Sequence, residues 1–364
     1  MLEESSGGYI LVKTLLGLER VAATHIADLD PDARIEPLPR GLGGLVLVHT
    51  PHDRYVLGER IEAQVPEAEH VVVADAWCRA SLDDILQQGL ALARSRISAS
   101  DTFAIRTTRR GKHDFTSIDI NVRLGDLVRR ETGASVDLTL PDKVLAVEIL
   151  HDLALLAVYP GSKERRKMRP GKAPLYPLFR HLTVVQMPYL GPLDACRAFG
   201  VRIGREIQTF EVGELVIAPI GCVKAEQLRV FLDGVFEGVE SRYEIQRRTY
   251  GRRVHRTRVF VQDLYQLVRD RYRKDVILVF EPEGEPVSKL AHQLDQLVLQ
   301  SGKRVNLLFG AREGIPAGIF RFADLVIDLS PGITIATDYA ACAGLIALAT
   351  LLHERLLQQS TDRR

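Results

Sequence analysis

The stretch "LLFGAREGIPAGIFRFADLVIDLSPGITIATDYAACAGLIAL" (307–348) alternates apolar runs with segments dense in Gly, Pro and Ala. Strand–helix connections are usually a few polar residues long, so an apolar, glycine-bearing connection needs another reason. Each such segment starts where an apolar strand pattern stops. "VNLLFG" (305–310) runs into "AREGIP", and "LVIDL" (325–329) runs into "SPGITIATDYA". In an open parallel sheet, ligands bind beyond the carboxyl ends of the strands. Gly310, Gly314 and Gly332 would let backbone approach a ligand closely and offer free amides. Ile315, Ile333 and Ala336 would give apolar walls for a flat ring. Thr337 and Asp338 open the next helix, where their ordinary roles are N-cap and first-turn acid.

Upstream of this stretch the same alternation continues. "LTVVQMPY" (182–189), "ELVIAPI" (214–220), "DVILVFEP" (275–282) and "RVNLLFGA" (304–311) read as strands. Between them "PLDACRAFGVRIGREIQTF", "VKAEQLRVFLDGVFEGV" and "PVSKLAHQLDQLVLQS" carry helical periodicity. Apolar strands between amphipathic helices predict a parallel α/β sheet covered on both faces, over residues 181–364.

The first part of the chain is different. "YILVKTLL", "LERVAATHIADL", "ARIEPLP", "GLVLVHT", "HDRYVLGERIEAQ" and "AEHVVVADAW" follow the order β-α-β-β-α-β, the split βαβ or ferredoxin-like pattern, over residues 1–78. "RGLGG" (40–44) suits a turn with positive φ better than a phosphate loop, because a strand follows it. A second unit, 79–160, starts with Ser81 as N-cap, has a helix stopped by Gly133, and ends in the strand pair 143–150 and 153–160 around "HD". Residues 161–180 carry Pro160, Pro170, Pro174 and Pro177 in or beside a basic run, which reads as an extended linker.

Net charge is +1, but its distribution is uneven. "KERRKMRPGK" (163–172) holds six cations and one acid, and "RYEIQRRTYGRRVHRTR" (242–258) holds seven arginines and one glutamate. With "RTTRRGK" and "RDRYRK", and with Tyr243, Tyr250, Phe115 and His255 interleaved, these clusters point to phosphate contacts and to RNA. The four cysteines form no C-x-x-C pair, which predicts neither a structural zinc nor a disulfide framework and suits a reducing cytoplasm. "HTPH" (49–52) marks a strand end sooner than a metal site, so no metal is expected. The acidic start is unlike a signal peptide, and no unbroken apolar run nears the roughly 20 residues of a membrane span.

Residues 103–150, "FAIRTTRRGK…VDLTLPDKVLAVEIL", resemble a THUMP domain, the RNA-binding module of several tRNA-modifying enzymes. The resemblance implies that Arg106, Arg109, Arg110 and Lys112 contact tRNA, helped by Arg165, Arg166 and Lys167 of the basic run. Phe115 either stacks on an unpaired base or seats its own loop. Arg247, Arg248, Arg252 and Arg253 form a further candidate RNA surface. The C-terminal stretch is similar to the SPOUT methyltransferases, and the whole chain resembles the archaeal group that joins THUMP to SPOUT. This implies a deep trefoil knot, S-adenosylmethionine as cofactor and a homodimer formed through the SPOUT domain. Leu308, Phe309, Gly310, Glu313, Gly314, Ile315, Asp328, Leu329, Ser330, Gly332, Ile333, Ala336 and Thr337 then form the cofactor site.

Closely related members imply ribose 2′-O-methylation near nucleotide 6 of the tRNA acceptor stem. "IGREIQTFEVGELVIA" (203–218) resembles the first motif of ribose-methylating members, with Arg205 in the place of its arginine. Where that motif has Asn and Gly upstream, this chain has Phe199 and Val201. A guanidinium stays protonated, so Arg205 would hold a phosphate or stabilise alkoxide while Asp338 or water takes the proton. Glu313 would meet the sulfonium or cap a turn. No S-G-G-x-D-S loop, Asn/Asp-Pro-Pro-aromatic motif, Walker A loop or H-E-x-x-H is present. Methylation of a base nitrogen, and a tRNA-binding protein without catalysis, stay open.

Overall fold

The turn at residues 40–44 closes as its glycines suggest, with Gly41 and Gly44 at φ 79° and 74°. This is a computed structural model, and it describes residues 7–169 and 171–361. The acidic start (1–6) and Pro170 of the basic run therefore lie outside the described residues. Two compact units divide the chain, 1–167 and 168–364.

In the first unit, β1 (Gly8–Lys13), α1 (Glu19–Leu29), β2 (Arg34–Pro37), β3 (Leu45–Thr50), α2 (Arg54–Gln64) and β4 (His70–Val73) follow one another in the β-α-β-β-α-β order. The strands lie antiparallel in the order β2-β3-β1-β4. Alternation sends Ile10, Val12, Val46 and Val48 onto α1 and α2. The opposite face, with Leu11, Leu45 and Val72, packs against Leu150, Leu155 and Ala157 of a second sheet. Both faces are buried, which explains why "YILV" is apolar without a break.

"AEHVVVADAW" proves to be two strands. β4 ends at Val73, and β5 (Ala76–Arg79) joins the second sheet. Asp75 fixes the bend, because its carboxylate accepts from Val158 N at 2.6 Å and from the Tyr55 hydroxyl at 2.5 Å. α3 (Leu82–Arg96), β6 (Thr102–Arg110), α4 (Ser117–Thr132), β7 (Ser135–Val136), β8 (Lys143–Leu150) and β9 (Leu153–Pro160) complete this sheet, ordered β5-β9-β8-β6-β7. Ser81 caps α3 by accepting from Asp84 N. Thr116 and Asp119 form a reciprocal capping box on α4, and Gly133 ends α4 at φ 75°.

The second unit runs α5 (Tyr176–Phe179), β10 (Leu182–Gln186), α6 (Leu193–Thr209), β11 (Glu214–Ile217), α7 (Ala225–Thr249), β12 (Arg258–Val261), α8 (Leu264–Arg271) and β13 (Val276–Pro286). After these come α9 (Ala291–Leu294), a π-helical turn at Asp295–Gln300, β14 (Val305–Phe309), α10 (Ala317–Phe320), β15 (Leu325–Asp328) and α11 (Thr337–Thr361). All strand pairs are parallel, in the order β12-β11-β10-β14-β13-β15. The edge strand β12 and α8 lie in a stretch whose arginines mask the pattern in the sequence.

Helices α6 and α7 pack backbone to backbone. Gly200 and Gly204 of α6 face Gly234 and Gly238 of α7, at a spacing of four on each helix. A Cβ on Gly204 would stand 2.2 Å from the Val235 carbonyl, and one on Gly238 would stand 2.1 Å from that of Val201. No unbroken apolar run nears membrane length, but Thr337–Gln358 of α11, interrupted by polar residues, has mean hydropathy 1.5 and is long enough to cross a bilayer. Ala341, Leu345, Leu348 and Leu352 of this helix are buried in the core of the second unit, while Tyr339 and Ile346 are more than half exposed.

Candidate active site

β13, β14 and β15 end beside one another, and a cavity of about 260 Å³ opens there. Its floor is Phe280 and Ile327; its walls come from Gly310–Gly314, Asp328–Ser330, Ile333–Ile335, Thr337 and Ala340. The β13–β15 pairing breaks here, with Phe280 and Glu285 both opposite Ile327, so that Glu281–Gly284 bulges from the ladder. Gln186, fully buried on β10, donates to the Gly310 carbonyl at 3.1 Å and so holds the loop from below.

Glu281 occupies the inside of the loop. Its Oε1 accepts from Ile315 N at 2.5 Å. A Cβ on Gly310 would come within 2.5 Å of that carboxylate, and one on Gly314 within 2.9 Å. Gly314 is also at φ 80°, a conformation side chains rarely take. Burial raises the Glu281 carboxyl; the Ile315 amide opposes this and neighbouring Glu283 adds to it. Arg312, at φ 55°, donates its amide to the Thr337 hydroxyl and its guanidinium to the Leu190 carbonyl.

Of the residues expected around a cofactor, Gly310, Glu313, Gly314, Asp328, Leu329, Ser330, Ile333 and Thr337 line this cavity. Leu308, Phe309 and Ile315 are buried in the core beneath it, with the Phe309 ring stacked 4.6 Å from Phe280. Gly332 and Ala336 are exposed and stand outside the lining. Phe280, Glu281, Pro282, Glu283, Arg312 and Thr334 were missed. The signal was available in "VFEPEG": acids alternating with Pro and Gly at the end of an apolar parallel strand.

Arg205 and Asp338 do not meet. Arg205 is exposed on α6 and donates to the Ser241 hydroxyl of α7 at 3.1 Å. One turn earlier, Arg202 donates to Asp338 Oδ2 at 2.5 Å, and Asp338 is 2% exposed. Asp338 therefore faces α6 instead of the cavity. Tyr189 and Phe199 stack at 4.1 Å next to this pair, with the Arg202 guanidinium over the Phe199 ring. Glu206 completes the cluster. Its Oε2 is buried without a hydrogen-bond partner among the described residues. Burial and the Asp338 charge push its carboxyl up to about 7, against the pull of Arg202.

Most of the arginines expected to hold RNA are tied to acids. Arg106 and Arg166 bond Glu164, Arg110 bonds Glu148, and Arg247 and Arg248 pair with Glu244. Arg252 pairs with buried Glu211 and lies 3.7 Å from the Tyr176 ring centre. Burial raises Glu211, but Arg252, Arg180 and the His255 amide outweigh it and hold the carboxyl below its usual range. Arg109 reaches His113; Lys112, Arg165, Lys167 and Arg253 are exposed. A second cavity in the first unit, lined by Lys13, His70, Arg106, Glu148, Tyr159 and Arg165, gathers part of this charge. Phe115 is 5% exposed in the core under its loop, which gives it the seating role. Asp30, Asp32 and His52 lie close enough to share an ion, and they are joined by hydrogen bonds of their own, with the Thr50 hydroxyl on Asp30.

The family described as "AF2226-like SPOUT RNA Methylase fused to THUMP" matches residues 176–364, and the THUMP domain matches 79–159. Uncharacterized protein MJ0421 of Methanocaldococcus jannaschii is 39% identical over 93% of this chain and 92% of its own. A tRNA sulfurtransferase of a Shewanella species is 37% identical over 37% of this chain and 28% of its own length. Among solved structures, TrmN from Thermus thermophilus aligns with TM-score 0.34 at 20% identity, over 86% of this chain and 91% of its own. The SpoU methyltransferase AviRb from Streptomyces viridochromogenes aligns with TM-score 0.32 at 11% identity, over 72% and 86%.

Proposed function

We propose, on the premise that this chain belongs to the AF2226-like family of SPOUT RNA methylases fused to THUMP, that it methylates tRNA from S-adenosylmethionine bound in the cavity at the ends of β13–β15. The observation that carries this reading is the glycine loop closed around Glu281 within that cavity. The donor set suits the cofactor. Backbone at Gly310 and Gly314 would approach it, Ile333 and Ile335 would offer apolar contact to an adenine ring, and the lining carboxylates would meet its cationic charge. S-adenosylmethionine supplies an activated methyl group, so the protein need only orient the acceptor and manage one proton.

The ribose 2′-hydroxyl of an acceptor-stem nucleotide is the acceptor we favour, from the resemblance around Arg205. In this reading Arg205, exposed on α6, contacts a phosphate. Arg202, held on Asp338, the chain neighbour of the wall residue Thr337, is the arginine this reading assigns to negative charge developing on the acceptor oxygen. The exposed carboxylates Glu283 and Glu313 are the candidate proton acceptors at the cavity rim.

Several finer points belong to the same proposal. The antiparallel order β2-β3-β1-β4 supports a ferredoxin-like first domain (1–78), followed by THUMP (79–160), the basic segment (161–180) and SPOUT (181–364). A trefoil knot is supported by β14 and β15 flanking β13, each followed by a loop that lines the cavity. Exposed Tyr339 and Ile346 on α11 suit a homodimer through this domain. Four free cysteines suit a reducing cytoplasm.

Equilibrium binding tests the site. Gly310→Val would drive a side chain into Glu281 and the Gly314 backbone. It should abolish S-adenosylmethionine binding while leaving tRNA binding intact. Undiminished cofactor binding by a folded Gly310→Val protein would remove this cavity from the reaction.

A further inference from the structure

Four carboxylates line the cavity, Glu281, Glu283, Glu313 and Asp328, against one cation, Arg312. Among the described residues none of the four is paired with a cation, and the Arg312 guanidinium is turned to the Leu190 carbonyl. Among the described residues, Asp328, 8% exposed, accepts only the Ser330 amide, at 2.9 Å, and half-buried Glu281 accepts only that of Ile315. Carboxylates gathered in this way repel one another and lose hydration, a cost that a cationic ligand offsets. Elsewhere among the described residues, buried Glu148 and Glu211 each hold two cations and buried Asp338 holds one, while Glu19 and Asp295 are buried without an ion pair.

We infer that this acidic collar is a charge filter, with Glu281 as its main element, that holds the sulfonium form of the cofactor in preference to the neutral thioether left after transfer. The inference rests on the cofactor reading given above. Loss of the methyl group turns a sulfonium cation into an uncharged thioether. Attraction by the collar therefore falls once the group has left, which favours exchange of product for fresh cofactor. Glu281 is the main element because its half-buried carboxylate lies inside the glycine loop, against Gly310, Gly314 and the Ile315 amide.

Calorimetric titration with three probes tests the filter: S-adenosylmethionine, S-adenosylhomocysteine, and sinefungin, which carries an amine in place of the sulfonium. In Glu281→Gln the side-chain oxygen still accepts from Ile315, so the loop keeps its anchor. This variant should bind the two cationic ligands about tenfold more weakly and the thioether within about threefold of wild type. Glu283→Gln, at an exposed position, should shift the same ratio by a smaller factor. Added salt should weaken the cationic ligands more than the thioether. An unchanged ratio in both variants would overturn the filter while leaving the cofactor site standing. Wild-type protein that binds none of the three would overturn the cofactor reading, and the filter with it.

Discussion

Arg202 donates to the Oδ2 of Asp338 at 2.5 Å, tying the first turn of α11 to the middle of α6. Removing the arginine leaves a buried carboxylate without its cation, which costs more than the pair itself contributes. Arg202→Ala should therefore lower both stability, by about 1–2 kcal/mol given the half-exposed arginine, and methyl transfer, by tenfold or more. Arg205→Ala removes only a hydrogen bond to Ser241, so its unfolding midpoint should match wild type and its loss should fall on KM for RNA. Thermal melts and steady-state kinetics on both variants check this. A collapse of kcat in Arg205→Ala with Arg202→Ala unaffected would reverse the assignment.

Glu206 gives a pH signature. Its folded carboxyl titrates near 7, above its ordinary value of 4.5, so the folded state holds a proton that the unfolded chain has released. Stability therefore falls as pH rises between about 4.5 and 7 and stays lower above that window. The groups facing it are Asp338 and Cys342 of α11 and Arg202 of its own helix. Glu206→Gln should be more stable than wild type at pH 8 by about 1 kcal/mol, discounted for the solvent that reaches this side chain, and equal to it at pH 4.5. Urea unfolding at the two pH values measures it.

Close packing of α6 on α7 leaves no space at Gly204 or Gly238. A valine at either position must push the helices apart, at a cost of about 2–4 kcal/mol. Gly221, by contrast, meets no atom within 4 Å, but its φ of 60° makes even alanine there mildly unfavourable. The expected order of melting temperatures is wild type, Gly221→Ala, then Gly204→Val.

Much of the fold was legible in the sequence because its signals are local. Ser81, Thr116 and Gly133 end helices by hydrogen bonds and backbone angles that those residues favour. The cavity was legible for a related reason: glycines at strand ends must serve close approach. What stayed hidden depends on distant partners. Arg202 and Arg205 lie one turn apart on the same helix, and only the position of α11 decides which of them meets Asp338. The bend at Asp75 is set by Val158, eighty-three positions later. Glu281 could be seen as an acid at a strand end, but not as the residue enclosed by the Gly310–Ile315 loop.

RNA affinity should divide between free and committed cations. Lys112 and Arg165 are exposed, whereas Arg110 is held by buried Glu148. Lys112→Ala and Arg165→Ala should each reduce the slope of log affinity against log salt by about one. Arg110→Ala should change that slope less and lower stability instead, because Glu148 loses a partner. Filter binding of tRNA transcripts across a salt series, alongside thermal melts, separates the two outcomes.

Transfer of label from tritiated S-adenosylmethionine to unmodified tRNA transcripts, followed by mass spectrometry of the nucleosides, tests the central claim most directly. A 2′-O-methyl nucleoside from the acceptor stem, formed by wild-type protein and lost in Gly310→Val, is the expected result. A methylated base would keep the cavity and replace the ribose as acceptor. Tight tRNA binding with no label transferred would contradict the claim and leave an RNA-binding protein.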